Sequence, residues 1–448
     1  MSRTVDMTVG SPTKHILTFA LPLILTNMGQ QLYMIADASI VGRGVGVKAL
    51  AAVGATDWSY WLILWTVMGL TQGFSTFVSR SFGEGNYKRM NQTIATSTIL
   101  CGIIGAVLTA AGMLAAKPLL NLLNTPADIL PGATAYLLTM ISGTLVVAAY
   151  NMAGSILRAF GDGKSPLVAM VIAALLNIAL DCLFVFVFKW GIFGAAIASV
   201  IAQGVSFLHC LNCLRKVEVI DLSGDVWKLD WGLAKSLIAF GIPVAMRFIV
   251  IALGGIILQS SVNIQGSNFI AGYTATNKVY GLLECSATSL GLSCCTFFAQ
   301  NYGAAKHDRV KKGVRNALGI VIGMAIVVTG GTLLVREKLL QLFLDVNQPG
   351  GMEALEIAVH YLTIMASCLI ILYLLHVFQN ALQAMGISVW SMYSGLAEFA
   401  GRFLMAKVAI NLIGTDALFL SEPVAWLGAT ILLMLPYFHY KKTLLGGE

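Results

Sequence analysis

The sequence predicts an all-α polytopic membrane protein: twelve transmembrane helices in two six-helix lobes related by a pseudo-twofold axis along the membrane normal. Three observations carry that expectation. Hydrophobic residues make up 57% of the 448 positions and charged residues only 11%, with a mean hydropathy of +0.81, too little charge for a soluble chain of this length. Apolar runs of about 20 residues recur from end to end, the length a helix needs to cross hydrocarbon with its backbone groups paired internally. The first six runs also answer the second six in order.

In sequence the runs are 15–41, 52–79, 92–115, 130–157, 166–188 and 191–214, then 233–262, 269–299, 313–335, 354–382, 388–413 and 423–440. The polar segment 1–11 leads into a full-length apolar helix bearing Asp37, with no small-residue cleavage pattern, so insertion by internal spans is expected. If the N-terminus is cytoplasmic, most Lys and Arg fall in cytoplasmic connections, among them Arg80, Lys88, Arg89, Arg158 and the basic stretch 306–315. That bias places both termini inside. The net charge of +7 is therefore a topology signal, and no nucleic-acid partner is expected. The eight cysteines lie mostly in apolar stretches and read as small apolar side chains. Cys210 and Cys213 form a lone CxxC beside His209, and no second ligand pair answers it, so a metal or redox role is not expected there.

The repeat is legible residue by residue. Phe19-Ala20-Leu21-Pro22 answers Phe240-Gly241-Ile242-Pro243, and Phe82-Gly83-Glu84-Gly85-Asn86-Tyr87-Lys88-Arg89 answers Tyr302-Gly303-Ala304-Ala305-Lys306-His307-Asp308-Arg309. Leu157-Arg158-Ala159-Phe160-Gly161 answers Leu382-Gln383-Ala384-Met385-Gly386. Six spans per half is an even number, so both halves enter the membrane in the same direction, as in parallel-repeat transporters. Residues 1–215 form the first expected lobe and 236–448 the second. Residues 216–235 are a charged cytoplasmic linker, for which a short amphipathic surface helix is one form. Pro22 and Pro243 each fall early in a span, where a proline either starts a helix or bends it; the acid on the same helix favours a bend at Pro22.

An ionisable side chain at the centre of a membrane helix costs about 2.5–3.5 kcal/mol, so acids inside spans point to chemistry. Asp37 lies in the first span. Asp181 lies in the fifth with Asn177 four residues earlier, on one helix face. Tyr136 and Ser199 come from the fourth and sixth. The set offers oxygens only, which suits a proton or a hard monovalent cation such as Na+, and two carboxylates in one apolar pocket repel unless something positive is shared between them. The competing reading makes Asp181 a structural polar contact and lets Asp37 approach the outer headgroups. The positions matching these acids in the second half are Leu258 and Ala406, so the pair belongs to one lobe.

The second half carries Arg247, Glu284, Glu398 and Arg402 within spans. A buried ion-pair network is the favoured reading, with Glu398 and Arg402 pairing four residues apart, and a substrate or coupling contact through Glu284 or Glu398 is the alternative. His376 titrates near neutrality in water, but a lone histidine among apolar residues is more often structural. The 18 methionines and the aromatic residues suit a broad cavity for amphipathic cations, although most must serve packing. No GxxxxGK[ST] phosphate cradle occurs, which disfavours ATP as the energy source, and no other cofactor is expected.

Pro22, the stretch Gln30-Gln31-Leu32-Tyr33-Met34-Ile35-Ala36-Asp37, Ile40-Val41-Gly42-Arg43 and Leu50-Ala51-Ala52-Val53-Gly54 resemble the opening of the multidrug and toxic compound extrusion (MATE) family. Ser81-Phe82-Gly83-Glu84-Gly85-Asn86 and Leu157-Arg158-Ala159-Phe160-Gly161-Asp162-Gly163-Lys164-Ser165-Pro166 add to the likeness, which covers nearly the whole chain and is nearest to the bacterial DinF/MepA-like branch. The resemblance implies a monomeric antiporter in a bacterial inner membrane, exporting organic cations and amphipathic drugs in exchange for Na+ or H+. By position, Asp37, Asn177 and Asp181 match the family's coupling residues. Ser199 falls where a threonine is common, Tyr136 belongs to the same cluster, and Pro22 matches the proline whose bend accompanies protonation. The rival within the same superfamily is a lipid-linked precursor flippase, against which twelve spans and the acid pair argue. A membrane-embedded transferase would need a catalytic acid or nucleophile set in an aqueous loop, and none is evident.

Overall fold

The computed structural model describes residues 4–123 and 125–446. Every regular element among them is helical. The helices are α1 (Pro12–Gly44), α2 (Val47–Gly83), α3 (Tyr87–Leu122), α4 (Leu130–Ser142), α5 (Thr144–Ala159), α6 (Lys164–Asp181) and α7 (Gly191–Leu214). There follow α8 (Trp231–Val262), α9 (Ser267–Gly303), α10 (His307–Leu340), α11 (Gly351–Ala384), α12 (Val389–Leu404), α13 (Ile410–Ile413) and α14 (Asp416–Leu444).

Among the described residues nine helices are long and apolar enough to cross a membrane, and α4 with α5, bent by 45° at Gly143, makes a tenth span. The others are α1, diluted by Asn27, Gln30 and Gln31, and the stretch from α12 to α13, which carries Glu398, Arg402 and Lys407. Counted this way the chain has twelve spans, as the sequence predicts. Leu334, 87% exposed, and Leu114, 81% exposed, show outer faces made for hydrocarbon rather than water.

Contacts divide the chain into two compact units. One comprises Leu25–Ala245 with the N-terminal segment ending at Asp6; the other comprises Met7–Ile24 with everything from Met246 onward. Both α1 and α8 therefore pass from one unit to the other shortly after their prolines. Pro22 and Pro243 lie well inside these helices, so neither starts its helix. A proline there lacks the N–H that would bond the carbonyl four residues back.

Local chemistry explains the boundaries. In the motif around Pro166, Gly161 takes φ +76° and Asp162 Oδ1 accepts from the backbone N–H groups of Lys164 (3.0 Å) and Ser165 (2.9 Å), so the carboxylate caps α6. Asn86 likewise accepts from Arg89 N at 3.1 Å to start α3. Between α7 and α8 there is no amphipathic helix, only a 3-10 turn at Gly224–Trp227. Asp221 accepts from Ser223 N at 3.0 Å and Gly224 takes φ +67°, turn chemistry that outcompetes a helix. Asp230 then caps α8, accepting from Gly232 N at 2.8 Å.

The first unit is cored by Phe74, Met90, Leu157 and Phe160. Here α2 crosses the start of α8 with almost no room: a Cβ on Gly69 would lie 2.5 Å from the Cα of Ala245, and one on Gly73 would lie 2.9 Å from the Cα of Gly241. Small residues allow such backbone approach in membranes. Gly69→Val is accordingly expected to lower thermal stability in detergent by about 1–3 kcal/mol through overpacking, read as a shifted melting curve. Gly54→Val, with nothing within 4 Å of its Cβ, is the neutral control. The second unit is cored by Trp426, Tyr361, Tyr373, Phe297 and Phe298.

Candidate functional site

Within the first unit, α1 runs alongside α6. A Cβ on Gly29 would meet the side chain of Met170 in α6, and one on Gly44 would meet Val185 and Phe186 in the stretch just after it, so these glycines let α1 close on both. Between those points stand Asp37 and Asp181. Their carboxyl groups face each other closely enough to share a hydrogen bond when one carries a proton. As carboxylates both only accept, and Asp37 Oδ1 and both oxygens of Asp181 then have no donor. Asp181 and Asn177 are fully buried. Asn177 Nδ2 donates to Ser199 Oγ at 3.2 Å, which ties α6 to α7 and leaves Asn177 Oδ1 without a partner.

The cluster thus presents buried, unsatisfied oxygens from two carboxylates and an amide, a costly arrangement unless a proton or cation completes it. The donor set fits a hard ion. Directly after Asp181 the helix widens into a π-helical stretch, Cys182–Val187, an irregularity common beside functional residues. Tyr136, buried, stands within electrostatic range of Asp37, as does Tyr33, and Tyr60 lies within range of both these tyrosines. Their rings and phenol groups give the site an aromatic wall with polar tips. Sequence reasoning did not single out Tyr33 and Tyr60. Tyr33 precedes Asp37 by one helical turn, a spacing that marks it; nothing in the sequence marks Tyr60.

The second unit gathers the other ionisable residues. Arg247 of α8 donates through Nη2 to Glu398 Oε1 at 3.3 Å, and Arg402 Nη2 reaches Glu398 Oε2 at 3.4 Å. Arg402 also makes a two-pronged contact with Glu422, Nε to Oε1 at 2.8 Å and Nη2 to Oε2 at 2.6 Å. Arg247, Glu398 and Arg402 are buried, and the network ties α8, α12 and α14 together. Glu284 of α9 lies within electrostatic range of both glutamates and both arginines. Glu422 was not anticipated, because it immediately precedes Pro423, where the apolar run begins; α14 starts at Asp416 and carries it inside. His376 packs against α9, where a Cβ on Gly291 would lie 3.0 Å from the His376 Cβ. Cys210 and Cys213 are buried in the first unit's core, with Cys213 Sγ 3.5 Å from His209 Nε2.

A family model for MatE matches residues 22–183 and, separately, residues 243–408. The chain belongs to the MatE family. Among curated MatE relatives, the probable multidrug resistance protein YpnP of Bacillus subtilis is 30% identical over 305 residues, 68% of each chain. YoeA of the same organism, also described as a probable multidrug resistance protein, is 30% identical over 339 residues, 73% of this chain and 72% of the relative. Among solved structures, an outward-facing multidrug resistance MATE transporter of the MOP superfamily superposes with a TM-score of 0.90 at 20% identity, covering 99% of both chains. At that identity the likeness speaks for the MatE fold alone. The double match of the family model falls on the two halves of the internal repeat, and the first match contains Asp37, Tyr136, Asn177 and Asp181. Ser199, Glu422 and the network's α14 lie outside both matches.

One modest consequence follows from the Asn177–Ser199 bond. Ser199→Ala removes a single neutral hydrogen bond, worth about 1 kcal/mol, and Ser199→Thr keeps the hydroxyl. Transport by the alanine variant is expected to fall several-fold, with the threonine variant close to wild type, measured as initial efflux rates at matched expression.

Proposed function

We infer that the chain is a secondary active efflux antiporter, exporting organic cations and amphipathic drugs in exchange for Na+ or H+ by alternating access. The observation that carries this is the facing pair of Asp37, half-buried on α1, and Asp181, fully buried on α6, with buried oxygens that have no donor and that a proton or a cation would satisfy. Such a site binds its ion more tightly in one arrangement of the helices than in another, and that difference in affinity is what lets an ion drive a conformational change. The description of the relatives as multidrug resistance proteins supports the substrate class.

In this reading Asp37, Asn177 and Asp181, with Ser199 and Tyr136 around them, hold the coupling ion, and closing them on it draws α1 towards α6. The bend this requires is taken up at Pro22. Arg247, Glu398 and Arg402 serve chiefly to hold the second unit, and Glu284 is its candidate for substrate contact. The protein works as a monomer in a bacterial inner membrane with both termini cytoplasmic. Residues 1–215 and 236–448 act as the lobes, joined by 216–235. It needs no cofactor beyond the coupling ion and catalyses no covalent reaction.

The test is ethidium efflux from energised cells expressing the protein, with external sodium and pH varied separately. Efflux stimulated by one of the two gradients supports the antiporter and names its ion. If no dye moves under any gradient, drug export fails as the assignment, and a lipid-linked precursor becomes the substrate to test.

A further inference from the structure

Helix α1 is held very differently along its length. Ile16, Phe19, Ala20 and Leu23 are at most 4% exposed, packed in the core of the second unit. From Leu25 to Ile40 no residue is fully buried. Pro22 stands at the change.

The tightly held half is also gripped ahead of its first turn. Residues 7–10 form a non-helical turn whose carbonyl groups are taken up largely by side chains of the second unit. Arg309 Nη2 donates to Met7 O at 3.0 Å and Arg309 Nη1 to Gly10 O at 3.0 Å. Asn301 Nδ2 donates to Met7 O at 3.1 Å, Lys306 Nζ donates to Thr8 O at 2.9 Å, and Met7 N donates to Gln300 Oε1 at 2.9 Å. Arg309 is itself fixed, its Nε donating to Asn301 Oδ1 at 2.8 Å. Met7 is fully buried. Further along, Ser293 Oγ donates to Ile16 O at 2.7 Å and Asn316 Nδ2 to Thr13 Oγ1 at 3.0 Å. These bonds all lie within the second unit.

The repeat supplies an internal comparison. The positions answering Asn301 and Lys306 are Ser81 and Asn86, and Asn86 is occupied in capping α3. The segment ahead of α8 is held by the first unit through apolar packing of Val217, Ile220 and Leu222 and a long bond from Asn91 Nδ2 to Val219 O, 3.4 Å. Arg89, which answers Arg309, is exposed, so among the described residues this charged grip is found ahead of the helix that carries Asp37 and not at the answering positions.

We propose that Arg309, with Asn301 and Lys306, is a positioning residue for transport: it clasps residues 7–10 and so fixes the first half of α1, confining ion-driven movement to the part beyond Pro22 that bears Asp37. Hydrogen bonds from charged donors are the strong kind, and a lever transmits a local pull only if one end is held. The transport role rests on the antiporter reading; the mechanical role does not.

The experiment compares full-length wild type, Arg309→Ala, Arg309→Lys and the exposed-site control Lys312→Ala by amide hydrogen exchange in detergent, with and without sodium and at two pH values, alongside ethidium efflux. In wild type the ion-dependent change is expected to be confined to residues 25–44. In Arg309→Ala, protection of residues 7–20 should fall about tenfold or more, the ion-dependent change should spread below Pro22, and ethidium turnover should drop with its apparent KM unchanged. Arg309→Lys should recover part of each, and Lys312→Ala none of these changes. Unchanged protection of 7–20 in Arg309→Ala, or an ion-dependent change that already spans all of α1 in wild type, overturns the clasp. Lost protection with undiminished efflux overturns its role in transport. If wild type moves no ethidium, the antiporter reading fails separately, and the exchange data still decide the clasp.

Discussion

Asp37→Asn and Asp181→Asn are each expected to abolish ion-driven efflux while leaving the protein folded. The substitution keeps shape and hydrogen-bonding capacity but removes one of two negative charges facing the same ion. At an effective dielectric near 20, a unit charge at about 4 Å is worth about 4 kcal/mol, which corresponds to about a thousandfold in ion affinity. Each replacement also relieves the repulsion between two facing carboxylates, one of them fully buried, so neither should lower the melting temperature, and either is expected to raise it. Loss of efflux with preserved or increased stability is the signature of a functional acid. A structural polar contact would give the opposite pattern, reduced stability with transport retained in whatever protein folds. Efflux assays and melting curves on the same purified variants separate the two.

The second large effect lies in the other unit. Arg402→Ala should destabilise the protein by about 3–5 kcal/mol, because Glu398 and Glu422 would be left as buried charges without their shared partner. In a chain of this size the melting temperature should fall on the order of 10 °C. Arg402→Lys should recover only part of it, since an ammonium cannot reproduce the two-pronged contact with Glu422. The paired change Glu422→Gln with Arg402→Met removes charge from both sides, and is expected to cost less than Arg402→Ala alone. A melting temperature for Arg402→Ala within about 2 °C of wild type would remove the structural account of the network.

Much of this was legible in the sequence because membrane insertion writes strong signals. Runs of apolar residues and their duplication were enough for the twelve spans, and the spacing of Asn177 and Asp181 placed both on one face of α6. What the sequence could not show was contact between helices far apart in the chain. That Asp37 meets Asp181 depends on α1 closing against α6 at Gly29 and against the π-helical stretch after it at Gly44, and small residues at such points look like any other glycine in an apolar run. Glu422 escaped because hydropathy marks where a helix becomes apolar, not where it begins. The linker's charges flanking two tryptophans suit a surface helix; Asp221 and Gly224 turn it instead. The clasp at residues 7–10 was invisible for a further reason. Its bonds go to backbone carbonyls, so the clasped residues leave no trace in side-chain chemistry.

In the antiporter reading, ion and substrate movements are coupled through Asp37 and Asp181. Coupling is reciprocal, so a gradient of ethidium alone must drive the ion the other way. The most direct measurement is therefore ion flux in sealed proteoliposomes given an outward ethidium gradient and no ion gradient, with sodium and protons followed separately. The account predicts that one of the two ions moves opposite to the dye in wild type and that this movement disappears in Asp181→Asn. Dye movement without any ion movement, or ion movement undiminished in Asp181→Asn, would contradict it.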